Sequence, residues 1–167
     1  MKIMQFAFDS REPGNYLPYT YPRNSVVYTG THDNVTTEGW RQSASPEDVH
    51  YACRYLRCLP EDLAEAMICA CLASVSDMAI IPMADWLGLG EEAHLNSPGK
   101  LGGNWSWRAA DGFDTAALAK RILDFSFGVA SALDANVECV GNKVFALTRI
   151  DELTEAERSY LRTQGII

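Results

Sequence analysis

Apolar residues gather in three short runs along this chain, at residues 2–8 (interrupted by Gln5), 25–29 and 78–82, and polar residues break off each one. Runs of that length predict strands, and the β-branched and aromatic content of Val26-Val27-Tyr28 supports this for the second. A carboxylate follows each run within one to four residues: Asp9, Asp33 and Asp85. In a parallel βα arrangement such residues gather on one rim, whereas an antiparallel sheet scatters them to opposite ends.

Helix signals fill the intervals. Residues 36–41 predict a short helical turn containing Trp40. Ser45-Pro46-Glu47-Asp48 has serine at the N-cap, proline in the first turn and two acids behind it, which predicts a helix to about residue 57. Pro60-Glu61-Asp62 opens another, with Leu63, Ala66, Met67 and Ala70 on one face. Asp114 predicts the cap of a long helix ending near residue 133, its apolar stripe formed by Leu118, Ile122, Phe125 and Val129. Residues 144–147 predict a short strand, and Thr154-Glu155-Ala156-Glu157 is a capping box opening a terminal helix.

Two stretches resist regular structure. Residues 9–24 hold Pro13, Gly14, Asn15, Pro18 and Pro22 among Tyr16, Tyr19 and Tyr21. Such a loop either stacks its tyrosines on a ligand or pins them to the fold. Residues 86–112 are rich in glycine, asparagine and tryptophan, including Asn104, Trp105 and Trp107. Indoles offer flat apolar faces suited to sugar rings, and equally serve as loop anchors.

The sharpest chemistry follows the second run. After Gly30 come Thr31, His32, Asp33 and Asn34, which deliver hydroxyl, imidazole, carboxylate and amide side by side at a strand's C-terminal end. Barrel enzymes build sites in this way, while the plainer reading is a polar turn with a surface histidine.

Composition narrows the classes. At 167 residues, 47% apolar and 22% charged, the chain is long enough for one domain with a core. A net charge of −8 and no basic stripe argue against nucleic acid or an anionic membrane surface as partner. No run approaches the roughly 20 apolar residues of a membrane span, and residues 1–8 lack a signal peptide's apolar region, so a cytoplasmic location is expected. Five cysteines at spacings that match no zinc pattern are expected as free thiols. A metal-dependent hydrolase using His32, Asp33, Asp85 and His94 is disfavoured, since no HxH or HExxH spacing occurs; no metal and no cofactor are expected.

Taken in order, several blocks resemble one family, the amylomaltases or 4-alpha-glucanotransferases of glycoside hydrolase family 77. They are Met4-Gln5-Phe6-Ala7-Phe8, the run from Val26 to Asn34, Thr36-Thr37 with Gly39-Trp40, and Ile81-Pro82 with Asp85. Leu87-Gly88-Leu89-Gly90-Glu91-Glu92-Ala93, Asn96 with Pro98-Gly99, and Gly103-Asn104-Trp105 with Trp107-Arg108 complete the set. The chain departs from the family pattern at Val35, Ala84, Tyr19-Thr20 and His94-Leu95.

The resemblance implies an α/β fold, the C-terminal part (about strands six to eight with their helices) of a (β/α)8 TIM barrel. Residues 1–135 would belong to it, with 136–167 as a C-terminal extension. It implies transfer of α-1,4-glucan segments between maltooligosaccharides by a retaining mechanism, with Asp33 as the catalytic, transition-state-stabilising aspartate. His32, Asn34, Phe8, Asp9, Asp85, Asn104 and Trp105 would bind substrate.

The family's nucleophile and acid/base lie on strands four and five, which these residues do not include. A full barrel takes about 250 residues, and Met1 stands where the family pattern has an internal methionine. A truncated piece is therefore expected, inactive alone, its open edge covered by the remainder of the barrel or by self-association. The alternatives are a non-catalytic maltooligosaccharide-binding fragment and a purely structural remnant of a broken gene.

Overall fold

Strand β2 (Val26–Tyr28) lies between β1 (Lys2–Ile3) and β3 (Met78–Ile80), and both neighbours run parallel to it. Lys2 pairs with Val27 and Ile3 with Tyr28 on one side, and Val26, Val27 and Tyr28 pair with Met78, Ala79 and Ile80 on the other. Parallel pairing demands long crossovers, and the β2–β3 crossover consists of helices α1 (Thr37–Ser43), α2 (Pro46–Leu56) and α3 (Leu63–Leu72). The computed structural model describes residues 1–11, 14, 16–132, 136–141, 144–148 and 154–163; at 132, 136–141, 144–148, 157 and 161 it describes the backbone alone. Among the described residues, β1 and β3 each pair on one side only.

The first strand is shorter than the sequence predicts. Residues Met4–Phe8 coil into a 3-10 helix. Gln5 is the reason. Its amide N–H still donates to Thr29 O at 3.2 Å, but its buried side chain donates to Val35 O at 2.9 Å, and burying that amide requires such a partner. The turn then directs Met4, Ala7 and Phe8 inward and leaves Phe6 exposed. The third strand also stops early, at Ile80, because Pro82 has no N–H for the ladder and instead precedes the single-turn helix α4 (Met83–Trp86).

The helices begin where their caps dictate. The Thr36 hydroxyl accepts from Gly39 N at 3.0 Å, and the Ser45 hydroxyl from Asp48 N at 3.1 Å with Pro46 behind it. Helix α3 buries Leu63, Met67, Ile68 and Cys71, and leaves Ala66 and Ala70 partly covered. Leu63, Met67 and Cys71 meet Met4, Phe8, Leu17, Tyr21, Val27 and Ala52 in one core. Phe8 is its aromatic centre, with Trp40, Tyr51 and Tyr55 around it at centroid distances of 6.3, 6.0 and 5.8 Å.

In the loop after Phe8, Tyr16 and Tyr21 anchor the chain. The Lys2 ammonium lies 5.4 and 5.6 Å from their ring centres, and Phe6 meets Tyr16 edge-on at 5.6 Å. Tyr19, on the short 3-10 turn Pro18–Thr20, stays exposed. Pro13 and Asn15 lie outside the described residues.

The chain divides into two compact units, Met1–Leu118 and Ala119–Ile167, so the division falls inside α5 (Ala116–Ala132). The cap of α5 is Thr115, whose hydroxyl accepts from Leu118 N at 3.1 Å, and not the expected Asp114. The expected helix end at residue 133 and the expected boundary at residue 135 lie outside the described residues. The second unit holds an antiparallel hairpin of β4 (Asn136–Gly141) and β5 (Val144–Thr148), with Asn136 opposite Thr148, and the terminal helix α6 (Glu155–Thr163). The sequence predicts β5 and α6 but no strand at β4. Among the described residues no helix is long and apolar enough to cross a membrane.

Candidate functional site

The polar quartet occupies the turn immediately after β2. Gly30 is required there by space: a Cβ on it would meet Gln5 Nε2 at 2.8 Å and Asn34 Cβ at 3.3 Å. Asn34 closes the turn from within, its Oδ1 accepting from Thr31 N at 2.9 Å and from the Thr31 hydroxyl at 2.7 Å. His32 and Asp33 are thereby held on the outer side of the turn, both exposed.

The long loop after α4 supplies what surrounds them. The Asn96 backbone N–H donates to His32 O at 3.0 Å, and its side-chain amide donates to Asp33 Oδ1. His32 Nε2 lies 3.2 Å from the same oxygen. Asp33 Oδ2 has no protein partner among the described residues. Beside this pair, the Trp105 indole rests against the His32 ring at 5.0 Å between centres and 37° between planes, and it is 53% exposed. Trp105 sits in the left-handed region (φ 61), with its N–H donating to Leu95 O at 2.6 Å.

Asn104 acts on the loop itself. Its Oδ1 accepts from Ser97 N at 3.0 Å and its Nδ2 donates to Lys100 O at 3.1 Å. That side chain closes residues 97–104 on themselves and leads directly into Trp105. Asn96 is the member of the cluster that sequence reasoning did not single out. It stood only as part of a matched block, and nothing local marks an asparagine whose partner is 63 residues away.

Asp85 does not lie on the surface of this cluster, where its position after β3 placed it. It is 2% exposed. The Thr29 hydroxyl donates to its Oδ2, and Thr37 N donates to its Oδ1 at 2.8 Å. Asp85 thus ties the end of β2 to the first turn of α1 and to α4. Burial raises its pKa above the ordinary carboxylate value, opposed by the bonds from Thr29 and Thr37. It does line, with Gly30, His32, Asn34, Pro82 and Leu95, a small cavity of about 50 Å³ beneath the turn.

Phe8 and Asp9 belong to another neighbourhood. Phe8 is 1% exposed in the core. Asp9 is paired with Arg11 at 3.1 Å, and Phe8 and Asp9 line an open cleft of about 300 Å³ with Gln5, Phe6, Trp40 and Asp48. The structure therefore gathers His32, Asp33 and Trp105, with Asn34 and Asp85 supporting the turn from below and Asn104 the loop from the side. Among the described residues, no group of three or more His, Cys, Asp or Glu side chains is placed to hold a metal ion.

The cluster offers an anchored carboxylate with one open oxygen, an imidazole and an exposed indole face, a set suited to hydroxyl groups on a ring with an apolar face. Comparison with known proteins points the same way. A family model described as 4-alpha-glucanotransferase (glycoside hydrolase family 77) matches residues 1–114. The 4-alpha-glucanotransferase of Synechocystis is 46% identical over 110 residues, covering 65% of this chain and 22% of the relative. That of Streptococcus pneumoniae is 44% identical over 128 residues, covering 75% and 25%. A solved amylomaltase from Streptococcus agalactiae in complex with acarbose superposes with a TM-score of 0.72 at 31% identity, over 77% of this chain and 26% of that one. The chain spans about a quarter of the length of these relatives. The matched residues carry the whole cluster from His32 to Trp105, and the chain belongs to the 4-alpha-glucanotransferase family.

Proposed function

We propose that these residues form about strands six to eight, with their helices, of a (β/α)8 barrel whose whole transfers α-1,4-glucan segments between maltooligosaccharides. Asp33 is the transition-state-stabilising carboxylate. The observation that carries this reading is the asymmetry of its two oxygens: Oδ1 is held by Asn96 and His32, while Oδ2 has no protein partner among the described residues. A carboxylate so oriented is ready to accept hydrogen bonds from the hydroxyls of a distorted sugar ring, and such bonds strengthen as the oxocarbenium-like transition state develops.

The retaining reaction also needs a nucleophilic carboxylate and a separate acid/base. Asp33 is anchored by its neighbours, Asp85 is buried, and Asp9 is held by Arg11. The nucleophile and the acid/base belong to other strands of the barrel, and this chain alone does not transfer. Trp105 supplies the stacking face for a sugar ring, His32 and Asn34 shape the rim, and Asn104 sets the loop that carries Trp105. Asp85 serves the sugar site indirectly, by fixing the floor of the turn. Phe8 and Asp9 contribute through the neighbouring cleft. The outer edges of β1 and β3 take their partners from the remainder of the barrel or from a second copy.

The test is glucose release from maltotriose. The chain alone is expected to release none, and release that persists in Asp33→Asn would overturn the assignment. In a full-length enzyme containing these residues, Asp33→Asn should lower kcat by about 100-fold or more with a smaller change in KM. A non-catalytic binding role is the alternative, favoured by the exposed Trp105 indole. It predicts that Asp33→Asn costs acarbose affinity and leaves kcat of the full-length enzyme unchanged.

A further inference from the structure

Helix α2 ends through a left-handed residue, Arg57 (φ 57, ψ 45), and the amide of Cys58 then donates back to the carbonyl of Cys53 at 3.1 Å. This closure is a Schellman cap, in which the residue three before the cap and the second residue beyond it normally share a hydrophobic contact. Here those two positions are Cys53 and Cys58. Both line an open groove of about 600 Å³ whose other walls include Arg41, His50 and Arg54. Cys53 is buried and Cys58 half-buried, so the groove gives a reagent access to Cys58 first. Cys69 and Cys71 are two residues apart on α3 and do not share a face.

We propose that Cys53 and Cys58 form a paired oxidation site, closed into an intrachain disulfide across the end of α2 by a small anionic disulfide of the glutathione class. The Cys58 thiolate attacks the reagent's sulfur–sulfur bond, expels one reagent thiolate and leaves a mixed disulfide. The Cys53 thiolate then attacks the Cys58 sulfur and expels the second reagent thiolate. The two protein thiols together lose two electrons and two protons, which leave with the reagent as two thiols. Arg41 is engaged by Glu38, so Arg54 is the cation on the groove that favours an anionic reagent, opposed by the Asp62 carboxylate near Cys58. Burial, with Cys53 beside it, pushes the Cys58 thiol up to about 11. The reaction is therefore slow at neutral pH and quickens about tenfold per pH unit on approaching that value, since the thiolate is the nucleophile.

The experiment incubates the folded chain with oxidised glutathione from neutral to mildly alkaline pH, then maps cysteine linkage by trypsin digestion and fragmentation mass spectrometry. Arg54 and Arg57 lie between the two cysteines, so the bond appears as a linked pair of tryptic peptides. The expected result is a Cys53–Cys58 link that forms faster as pH rises, reverts with dithiothreitol, is absent in Cys58→Ser and persists in Cys69→Ser. Circular dichroism of Cys58→Ser distinguishes a lost thiol from a lost fold. The proposal is overturned if both thiols stay free, if reaction stops at a glutathione adduct on Cys58, or if Cys58 links to Cys69, to Cys71 or to another chain.

Discussion

The side-chain amide of Asn96 donates to Asp33 Oδ1, joining the turn after β2 to a loop 63 residues further along the chain. His32 takes part from both directions: its carbonyl accepts from the Asn96 backbone N–H at 3.0 Å, and its imidazole lies 3.2 Å from the same Asp33 oxygen. Removing the amide should therefore disturb Asp33 more than it disturbs the fold. Asn96→Ala is expected to shift the urea midpoint by less than about 1 kcal/mol equivalent, the group being exposed. In the full-length enzyme it should lower kcat by about tenfold or more, with Asn96→Asp worse because it sets two carboxylates together.

Phe8 tests the division between core and site. With Trp40, Tyr51 and Tyr55 around it and 1% exposure, Phe8→Ala should cost about 3–5 kcal/mol of stability. Thermal unfolding followed by circular dichroism checks this. A variant that keeps its melting temperature but loses sugar affinity would instead place Phe8 in direct contact with ligand.

Asp85 makes stability depend on pH in a defined sense. Burial raises its folded pKa above the ordinary 3.8. Between that value and the folded one, the folded chain holds a proton that the unfolded chain has released. Its contribution to stability is thus fully present below the ordinary value and declines as pH rises through the window. Asp85→Asn, which stays neutral and still accepts from Thr37 N, should flatten that part of a urea-midpoint profile. Asp85→Ala strands the Thr37 amide and the Thr29 hydroxyl and should cost about 1–3 kcal/mol at any pH.

Gly30 is a matter of space. A methyl group there meets Gln5 Nε2 at 2.8 Å, and Gln5 is buried with that nitrogen committed to Val35 O. Gly30→Ala should destabilise by about 1–3 kcal/mol. Gln5→Ala in the same chain should recover part of the steric loss, a coupling that a double-mutant cycle on urea midpoints measures.

Where structure follows from near neighbours, the sequence is readable. Ser45 and Pro46 start α2 through their own backbone and hydroxyl, and β2 follows from an apolar run bounded by a required glycine. The turn at Met4–Phe8 is not readable in that way, because the pull on Gln5 comes from Val35 across the fold. The cap of α5 differs by one residue, since Thr115 and Asp114 offer the same acceptor chemistry and geometry chooses between them. In the site, His32, Asp33 and Trp105 are visible as residue types, but Asn96 is identified only by its contact. The burial of Asp85 likewise depends on Thr29 and Thr37 arriving from other segments.

The left-handed backbone of Trp105, braced by its bond to Leu95 O, has a consequence for how anything flat would dock there. A non-glycine residue in that conformation carries about 1–2 kcal/mol of intrinsic strain, which the surrounding loop already sustains before any ligand arrives. The indole is consequently aimed in advance, and an incoming ring need not freeze it into place. Affinity that rests on such preorganisation is gained by avoiding an ordering cost. Loosening the loop through Asn104 should then weaken docking while every atom of the stacking face is retained.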